Sequence, residues 1–264
     1  MDDKARLKKM FGVNPMSHVG DGARSRCWCA HDKNRELLLL KHVQVETEKD
    51  HRFVVQLESE HEIADQFDHP NIRGTRAIIY YPSKRNATDV GLLMDFVDGI
   101  PLSEWIQQRQ PDLPQLLEVF IACADALNHM HVARYVHADM KPTNVLMDAG
   151  TNKPIIIDFG QACRLLTEKE RVQGTPGYIA PEQVKRRKVT YLTDVFNLGA
   201  TMYHLLSGRQ IDTEKFTKPP ALSGVPTELS DLVLHCIEIE PNDRPTMKEV
   251  RDALRRILPE SSPP

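Results

Sequence analysis

Apolar residues follow two different spacings along the chain, which divide it into a strand-rich first part and a helical second part. Alternation of apolar and polar residues over 17–45, interrupted by glycines, predicts strands joined by a glycine turn. Residues 50–67 keep their apolar side chains on one side, which predicts a helix. Residues 75–81 and 90–97 predict two further strands, with a polar, turn-like stretch between them. We therefore expect a sheet with one helix in this part.

The remainder of the chain has mainly helical spacing. Apolar residues predict a long amphipathic helix over 116–132 and a more uniformly apolar helix over 194–206, which a Ser-Gly pair stops. Thr246 and Glu249 form a capping box that opens the last helix. Residues 208–228 are rich in proline and polar groups, so no long helix is expected there.

Composition and charge are those of an ordinary soluble enzyme. The 264 residues include 41% hydrophobic and 27% charged side chains, and the net charge of −3 indicates no nucleic-acid or anionic-membrane partner. No apolar run reaches the length of a membrane span. The five cysteines lack paired zinc spacing, which predicts reduced thiols in a cytoplasmic protein.

The two ends of the chain are expected to lie outside the folded domain. Residues 1–12 are polar and basic and are interpreted as a frayed lead-in, in which Met10-Phe11 could serve as a small anchor. Residues 259–264 form a short tail. This leaves residues 13–258 for one domain.

Polar residues suited to phosphate chemistry cluster between residues 137 and 160. Asp139, Lys141 and Asn144 are followed by an apolar run, 155–157, which predicts a buried strand that ends at Asp158. Oxygen ligands suit magnesium, an ammonium group balances phosphate charge, and a carboxylate can accept a proton from a hydroxyl nucleophile. A single Asp is often only a turn residue, but that role does not explain all four residues together.

This cluster resembles the catalytic loop and the metal-binding Asp-Phe-Gly motif of the eukaryotic-type (Hanks-type) serine/threonine protein kinases. Further motifs of that family occur in the same order along the chain: Gly20-Asp21-Gly22-Ala23-Arg24-Ser25, Lys41, Glu60, Gly174-Thr175-Pro176-Gly177-Tyr178, Ala180-Pro181-Glu182, Asp194 to Gly199, and Arg244. The resemblance covers about residues 13–258, and the compact second part suggests a bacterial member.

The resemblance implies an α+β, two-lobed protein kinase fold. The small lobe, about residues 13–96, would contain an antiparallel sheet and one helix, and the large lobe, about residues 97–258, would be mainly helical. ATP and Mg²⁺ would be the cofactors, and proteins bearing Ser or Thr the substrates. The basic run 185–188 could dock acidic substrates or act as a nuclear-localisation signal, but a solvated loop is the favoured interpretation.

The resemblance also implies contacts of Lys41 with Glu60, of Glu182 with Arg244 and of His137 with Phe159, and a role for each site residue. Asp139 would be the base, Lys141 would contact the γ-phosphate, and Thr175 would hydrogen-bond both of them. The metal ligands would be Asn144 and Asp158. The ATP-binding residues would be Val19, Gly20, Gly22, Cys27, Leu39, Lys41, Glu60, Asp95, Val97 and Leu146.

Three positions depart from the family pattern. Cys27 replaces a Val and Leu39 an Ala beside the adenine, a pair of changes that could conserve pocket volume or crowd the base. Ala138 replaces the Arg that normally pairs with a phosphate on the activation segment. Thr167 is the one Ser or Thr between Asp158 and Gly174, and its neighbours are acidic. Phosphorylation of this segment is therefore not expected to be the main switch.

The sequence thus predicts an ATP-dependent serine/threonine protein kinase. One alternative is a pseudokinase that acts as a scaffold or allosteric partner, which the three departures favour. Another is a small-molecule phosphotransferase of related fold. Lys141 and the 174–182 segment oppose it, because the resemblance implies that they build a platform for protein substrates.

Overall fold

The computed structural model describes residues 3–22 and 24–258. Ala23 of the glycine-rich motif, the first two residues of the expected lead-in and the expected tail 259–264 lie outside the described residues. The chain divides into two compact units. The first unit comprises Met1–Asp68 and Arg73–Val97, and the second comprises His69–Ile72 and Asp98–Pro264.

An antiparallel sheet forms the centre of the first unit. Its strand order is β1-β2-β3-β5-β4. The register places Cys27 opposite Lys41, and Lys41 opposite Leu92 on the other side. The strands are β1 (Asn14–Asp21), β2 (Ser25–His31), β3 (Leu37–Gln44), β4 (Thr75–Tyr81) and β5 (Asp89–Asp95).

The expected frayed lead-in is instead a helix, α1 (Asp3–Phe11), so the described residues of the first unit form two α-helices rather than one. Leu7, Met10 and Phe11 are 3%, 8% and 4% exposed and pack in one apolar cluster with residues of β2 and β3, Trp28 among them. A Cβ atom at Gly91 of β5 would come within 2.8 Å of the Phe11 ring, so this glycine makes room for the helix. Burial of its apolar side therefore stabilises α1 despite its charged composition.

A polar contact also holds α1 on the sheet. Arg6 donates to the Asp89 carboxylate at 3.0 Å, and the His42 ring lies 2.9 Å from the same carboxylate oxygen. Phe11 packs edge-on against His42, with ring centroids 5.3 Å apart. Burial lowers the pKa of His42, although its hydrogen bond to Asp89 acts in the opposite direction.

The second helix, α2 (His51–Ala64), begins at a well-anchored carboxylate. Asp50 accepts hydrogen bonds from the backbone and hydroxyl of Thr47, both at 2.9 Å, and from Arg24 at 3.1 Å. Burial opposes its ionisation, but these bonds outweigh burial and lower its pKa to about 2. Arg24 of the glycine-rich motif is thereby tied to the start of α2.

Helices dominate the second unit, with short strands at the catalytic segments. The helices are α3 (Leu102–Arg109), α4 (Leu113–Val132), α5 (Pro181–Val184), α6 (Tyr191–Ser207), α7 (Thr227–Cys236) and α8 (Met247–Ile257). The strands are β6 (Gly99–Pro101), β7 (Tyr135–Val136), β8 (Val145–Asp148), β9 (Pro154–Ile156) and β10 (Cys163–Arg164). Strands β6, β8 and β9 form one small sheet, and β7 pairs with β10.

Local stop and start signals explain several helix ends. Gly208 takes a φ of 70° directly after α6, which a residue without a Cβ adopts most easily. Thr246 and Glu249 form the predicted capping box at the start of α8. Residues 208–226 contain no helix, as expected. The spacing analysis predicted neither α3 nor α7.

Candidate active site

The first group of site residues lies on the sheet and α2 of the first unit. Lys41 of β3 and Glu60 of α2 form an ion pair with 2.6 Å between Nζ and Oε2. The Glu60 side chain is 1% exposed and that of Lys41 17%. Charged groups are rarely so buried unless paired, so the ammonium group is held at a defined point of the sheet.

The two departures beside the expected adenine site pack together. Leu39 is 9% exposed and belongs to an apolar cluster that includes Val54 and Leu57 of α2. Cys27 is partly buried against the same cluster. The larger Leu39 side chain therefore fills part of the core between the sheet and α2.

The glycine-rich motif begins within β1 and ends at the first residue of β2. Val19 is 50% exposed, and Gly20 lies opposite Cys27 in the β1–β2 pairing. The Gly22 N–H donates to the Ser25 carbonyl at 2.8 Å. A Cβ atom at Gly22 would lie 2.5 Å from the Ser25 hydroxyl, so a larger residue here would require the Ser25 side chain to move.

The remaining residues predicted to bind ATP lie in or after strands. Asp95 ends β5, and its carboxylate accepts from Arg76 at 2.8 Å. Val97 lies just after this strand, at the end of the first unit. Leu146 lies in β8 of the second unit, paired with Ile155 of β9.

The second group of site residues forms a hydrogen-bonded triangle. Lys141 Nζ lies 2.9 Å from Asp139 Oδ2 and 2.7 Å from the Thr175 hydroxyl oxygen. The Thr175 hydroxyl donates to Asp139 Oδ1 at 2.8 Å. Each Asp139 oxygen therefore has a fixed partner, and 9% of the Asp139 side chain is exposed.

The same aspartate fixes the orientation of the Asn144 side-chain amide. Its Nδ2 donates to the Asp139 carbonyl at 2.8 Å and to the carboxylate at 3.2 Å. The amide oxygen therefore points away from Asp139, which is the orientation that its predicted role as a metal ligand requires.

Asp158 follows β9 and adopts a left-handed conformation with φ of 65°. The next residue, Phe159, packs edge-on against His137 with ring centroids 5.4 Å apart, which confirms the predicted contact. Within residues 3–22 and 24–258 no group of three or more His, Cys, Asp or Glu side chains is arranged for a metal ion. Magnesium commonly uses one or two protein carboxylates together with water and phosphate oxygens, so Asn144 and Asp158 suit it.

The carboxylate of Asp194, in the first turn of α6, anchors the backbone of the catalytic loop. It accepts from the backbone N–H of His137 at 2.9 Å and of Ala138 at 2.7 Å. His131 contacts the same carboxylate at 2.9 Å. The backbone before Asp139 is thus fixed by a fully buried acid.

A buried ion pair fixes the end of the activation segment. Arg244 donates to both oxygens of Glu182, at 2.8 and 3.0 Å. Arg244 is fully buried and also donates to three backbone carbonyls, so its charge is well satisfied. This is the pairing expected between Ala-Pro-Glu and the late arginine.

The family model for the protein kinase domain matches residues 13–253. The chain belongs to the protein kinase family. The expected Hanks-type kinase domain and its two-lobed α+β fold are thereby confirmed. Members of this protein kinase family use ATP and typically Mg²⁺.

The kinase domain is similar to curated bacterial serine/threonine-protein kinases. It is 28% identical to PkaA and 27% identical to PkaB of Streptomyces coelicolor, over 90% and 96% of this chain. It is 27% identical to PknB of Mycobacterium tuberculosis over 97% of this chain. The chain spans 48%, 65% and 43% of these relatives, respectively. Among the described residues of this kinase domain, no helix is both long and apolar enough to cross a membrane.

Sequence reasoning missed two residues that organise the kinase site. Gln183 is buried beside the Ala-Pro-Glu motif and hydrogen-bonds the catalytic loop. Asp50 anchors the glycine-rich motif through Arg24. Asp50 could have been found in the sequence as a polar residue at the start of a predicted helix, whereas no local pattern points to Gln183.

Proposed function

We propose that this chain transfers the γ-phosphoryl group of ATP to Ser or Thr hydroxyls of proteins, with Mg²⁺ as the metal ion. The observation that carries the proposal is the triangle of Asp139, Lys141 and Thr175, in which both carboxylate oxygens and the ammonium group are held by short hydrogen bonds. Phosphoryl transfer depends mainly on positioning and charge balance, which such a triangle provides.

Each residue then has a distinct task. Asp139 orients the substrate hydroxyl and accepts its proton, while Lys141 balances charge on the transferring phosphoryl group. Thr175 fixes the distance between these two side chains. Lys41, held by Glu60, contacts the α- and β-phosphates.

Asn144 and Asp158 would hold the metal, which supplies charge neutralisation between phosphate oxygens. Asn144 offers its amide oxygen because its nitrogen is engaged by Asp139. Gly22 and its neighbours let backbone N–H groups approach the phosphates.

We further propose that activity does not require phosphorylation of the activation segment. Ala138 lies in an apolar cluster with Val136, Cys163 and Val189, so the side chain at position 138 itself offers a phosphate no cation. Thr167 donates its hydroxyl to the Arg164 carbonyl at 2.7 Å, within a local turn.

A transfer assay separates this function from the two alternatives. The purified chain is incubated with radiolabelled ATP, Mg²⁺ and a generic protein substrate, followed by phosphoamino-acid analysis. Label on Ser or Thr of the protein supports the proposal. Label only on small hydroxyl or amine compounds identifies a small-molecule phosphotransferase, and nucleotide binding without any transfer identifies a pseudokinase.

A further inference from the structure

One buried amide, that of Gln183, connects four segments of the second unit. Its Nε2 donates to the carbonyls of Ala138 at 2.8 Å and Gln173 at 3.1 Å. Its Oε1 accepts from the Ala180 N–H at 2.9 Å and from Asn197 Nδ2 at 3.1 Å. The two donors and two acceptor sites of the amide are all used. A flipped amide would place like groups together at all four contacts, so the network fixes its orientation.

The two carbonyls that Gln183 holds lie next to the catalytic triangle. Ala138 directly precedes Asp139, and Gln173 lies two residues before Thr175. The Thr175 hydroxyl donates to Asp139 at 2.8 Å. Gln183 therefore joins the backbones that carry the two partners of this hydrogen bond.

The backbone at Ala138 needs such support. Its φ of 62° is in the left-handed region, which is unfavourable for a residue with a Cβ. Asp194 holds the N–H of Ala138 at 2.7 Å, and Gln183 holds the carbonyl. Without the contact to Gln183, one side of this strained residue is unrestrained.

A neutral amide also fits the surroundings better than a charged link would. Ala138 packs with Val136, Cys163 and Val189, and Leu165 covers the cluster. Burial is the main cause that raises the pKa of the Cys163 thiol, and the nearby Lys169 acts against it. An arginine–phosphate pair would bring two charges to this cluster, whereas Gln183 brings none.

We propose that Gln183 is a positioning residue that locks the activation segment onto the catalytic loop in the unphosphorylated protein. It joins the backbone before Asp139 to the backbone before Thr175 through a neutral amide, without a phosphate. This inference rests on the proposed function, because it explains how transfer proceeds without activation-segment phosphorylation.

Two substitutions test the role of Gln183. Gln183→Glu keeps the size and the acceptor oxygen but places a second oxygen against the carbonyls of Ala138 and Gln173. Gln183→Met keeps the length and removes all four hydrogen bonds, and it serves where the acidic variant does not fold. Asn71→Leu is the matched control, because Asn71 is equally a buried amide that donates to a carbonyl, that of Pro154 at 2.7 Å.

Three measurements are made on each unphosphorylated variant. The kinetic constants kcat and KM for both substrates and amide hydrogen exchange over residues 164–176 are measured below the unfolding temperature. The third measurement is the shift of the unfolding temperature on addition of Mg²⁺ and ATP. Gln183→Glu or Gln183→Met should lower kcat by about tenfold or more. Their ATP KM and thermal shift should stay within about twofold of wild type, and exchange over 164–176 should rise. Asn71→Leu should leave all three measurements at wild-type values once they are corrected for the fraction of folded protein.

Wild-type kcat and unchanged exchange in both Gln183 variants would overturn the inference. Equal losses in Asn71→Leu would also overturn it, by showing that any buried amide in this unit has the same effect. If the wild-type protein transfers no phosphate, the proposed function fails. The exchange comparison then still decides whether Gln183 holds the segment.

Discussion

At the scale of single residues, catalysis would depend on the restricted rotation of the Asp139 side chain. One oxygen is held by Thr175 and the other by Lys141 and Asn144. A rotation of the carboxylate breaks at least one of these bonds. The side chain is therefore preorganised for the substrate hydroxyl before any substrate arrives.

Thr167 and Thr175 should respond in opposite ways to removal of their hydroxyls. Thr167→Ala loses one hydrogen bond within a local turn and should keep most of the kinase activity. Thr175→Ala removes the bridge between Asp139 and Lys141 and should lose most of it, about tenfold or more. Kinase assays on the two purified variants decide this. Inactivity of Thr167→Ala, restored by an acidic replacement, would contradict phosphorylation-independent activity.

Asp158→Ala should remove magnesium-dependent nucleotide binding. A carboxylate oxygen is the stronger of the two proposed metal ligands, and the Asn144 amide alone should bind Mg²⁺ poorly. Calorimetric titration with ATP, with and without Mg²⁺, measures the effect. The wild type should show a clear gain from Mg²⁺ and the variant little or none. An equal gain in both proteins would show that Asp158 is not the ligand.

At the scale of elements, the N-terminal helix α1 is an integral part of the first unit. Its apolar side contains Leu7, Met10 and Phe11, and its polar side contributes Arg6 to Asp89. The spacing of those three apolar residues is helical and was visible in the sequence. The charged composition of residues 1–12 favoured a frayed segment. That prediction was wrong because local composition does not show that the sheet offers an apolar surface for the helix to cover.

Phe11→Ala should lower the free energy of unfolding by about 3–5 kcal/mol, the range for removing a buried aromatic ring. The Phe11 ring is 4% exposed and occupies the space beside Gly91, so its removal would leave a cavity. Lys8→Ala, on the exposed side of the same helix, is the control and should change stability by less than about 0.5 kcal/mol. Chemical denaturation of both variants measures the difference. Equal stabilities would mean that α1 is dispensable for the fold.

The contact between α1 and the sheet should also make stability depend on pH through His42. Burial lowers the pKa of His42 in the folded protein, while the unfolded chain binds its proton near pH 6.5. Below pH 6.5 the unfolded state therefore binds more protons, and stability falls as the pH falls towards the folded-state pKa. Arg6 and Arg26 add to the lowering and Asp89 opposes it.

His42→Gln should flatten this pH dependence, because its amide nitrogen matches the position of the ring Nε2 and can donate to Asp89 but does not titrate. The measurement is the free energy of unfolding of both proteins between pH 5 and pH 7. The difference between wild type and variant isolates His42 from the other histidines. An identical slope in the two proteins would contradict the account.

At the scale of the whole molecule, the order of the motifs was enough to predict the fold. The resemblance to Hanks-type kinases spans nearly the whole chain, and the family model covers residues 13–253. The ion pairs of Lys41 with Glu60 and of Glu182 with Arg244 followed from that order and are present in the structure. Each links residues far apart in sequence, so only the family pattern could pair them.

Features that depend on several distant partners could not be predicted. Gln183 contacts three residues outside its own helix start, at positions 138, 173 and 197, and nothing in the sequence around it distinguishes it from a solvated glutamine. The left-handed backbone of Ala138 likewise depends on Asp194 and Gln183 rather than on its own side chain. Helices α3 and α7 are short, and their ends lack strong local signals.

The most direct test of the central claim is the turnover of Asp139→Asn, prepared like the wild type without phosphate on the activation segment. Phosphoryl transfer to a protein substrate and binding of ATP with Mg²⁺ are measured on both proteins. The account predicts a loss in kcat of ~10² or more, the usual contribution of a general base, with ATP affinity within about twofold of wild type. Wild-type turnover by Asp139→Asn would contradict it.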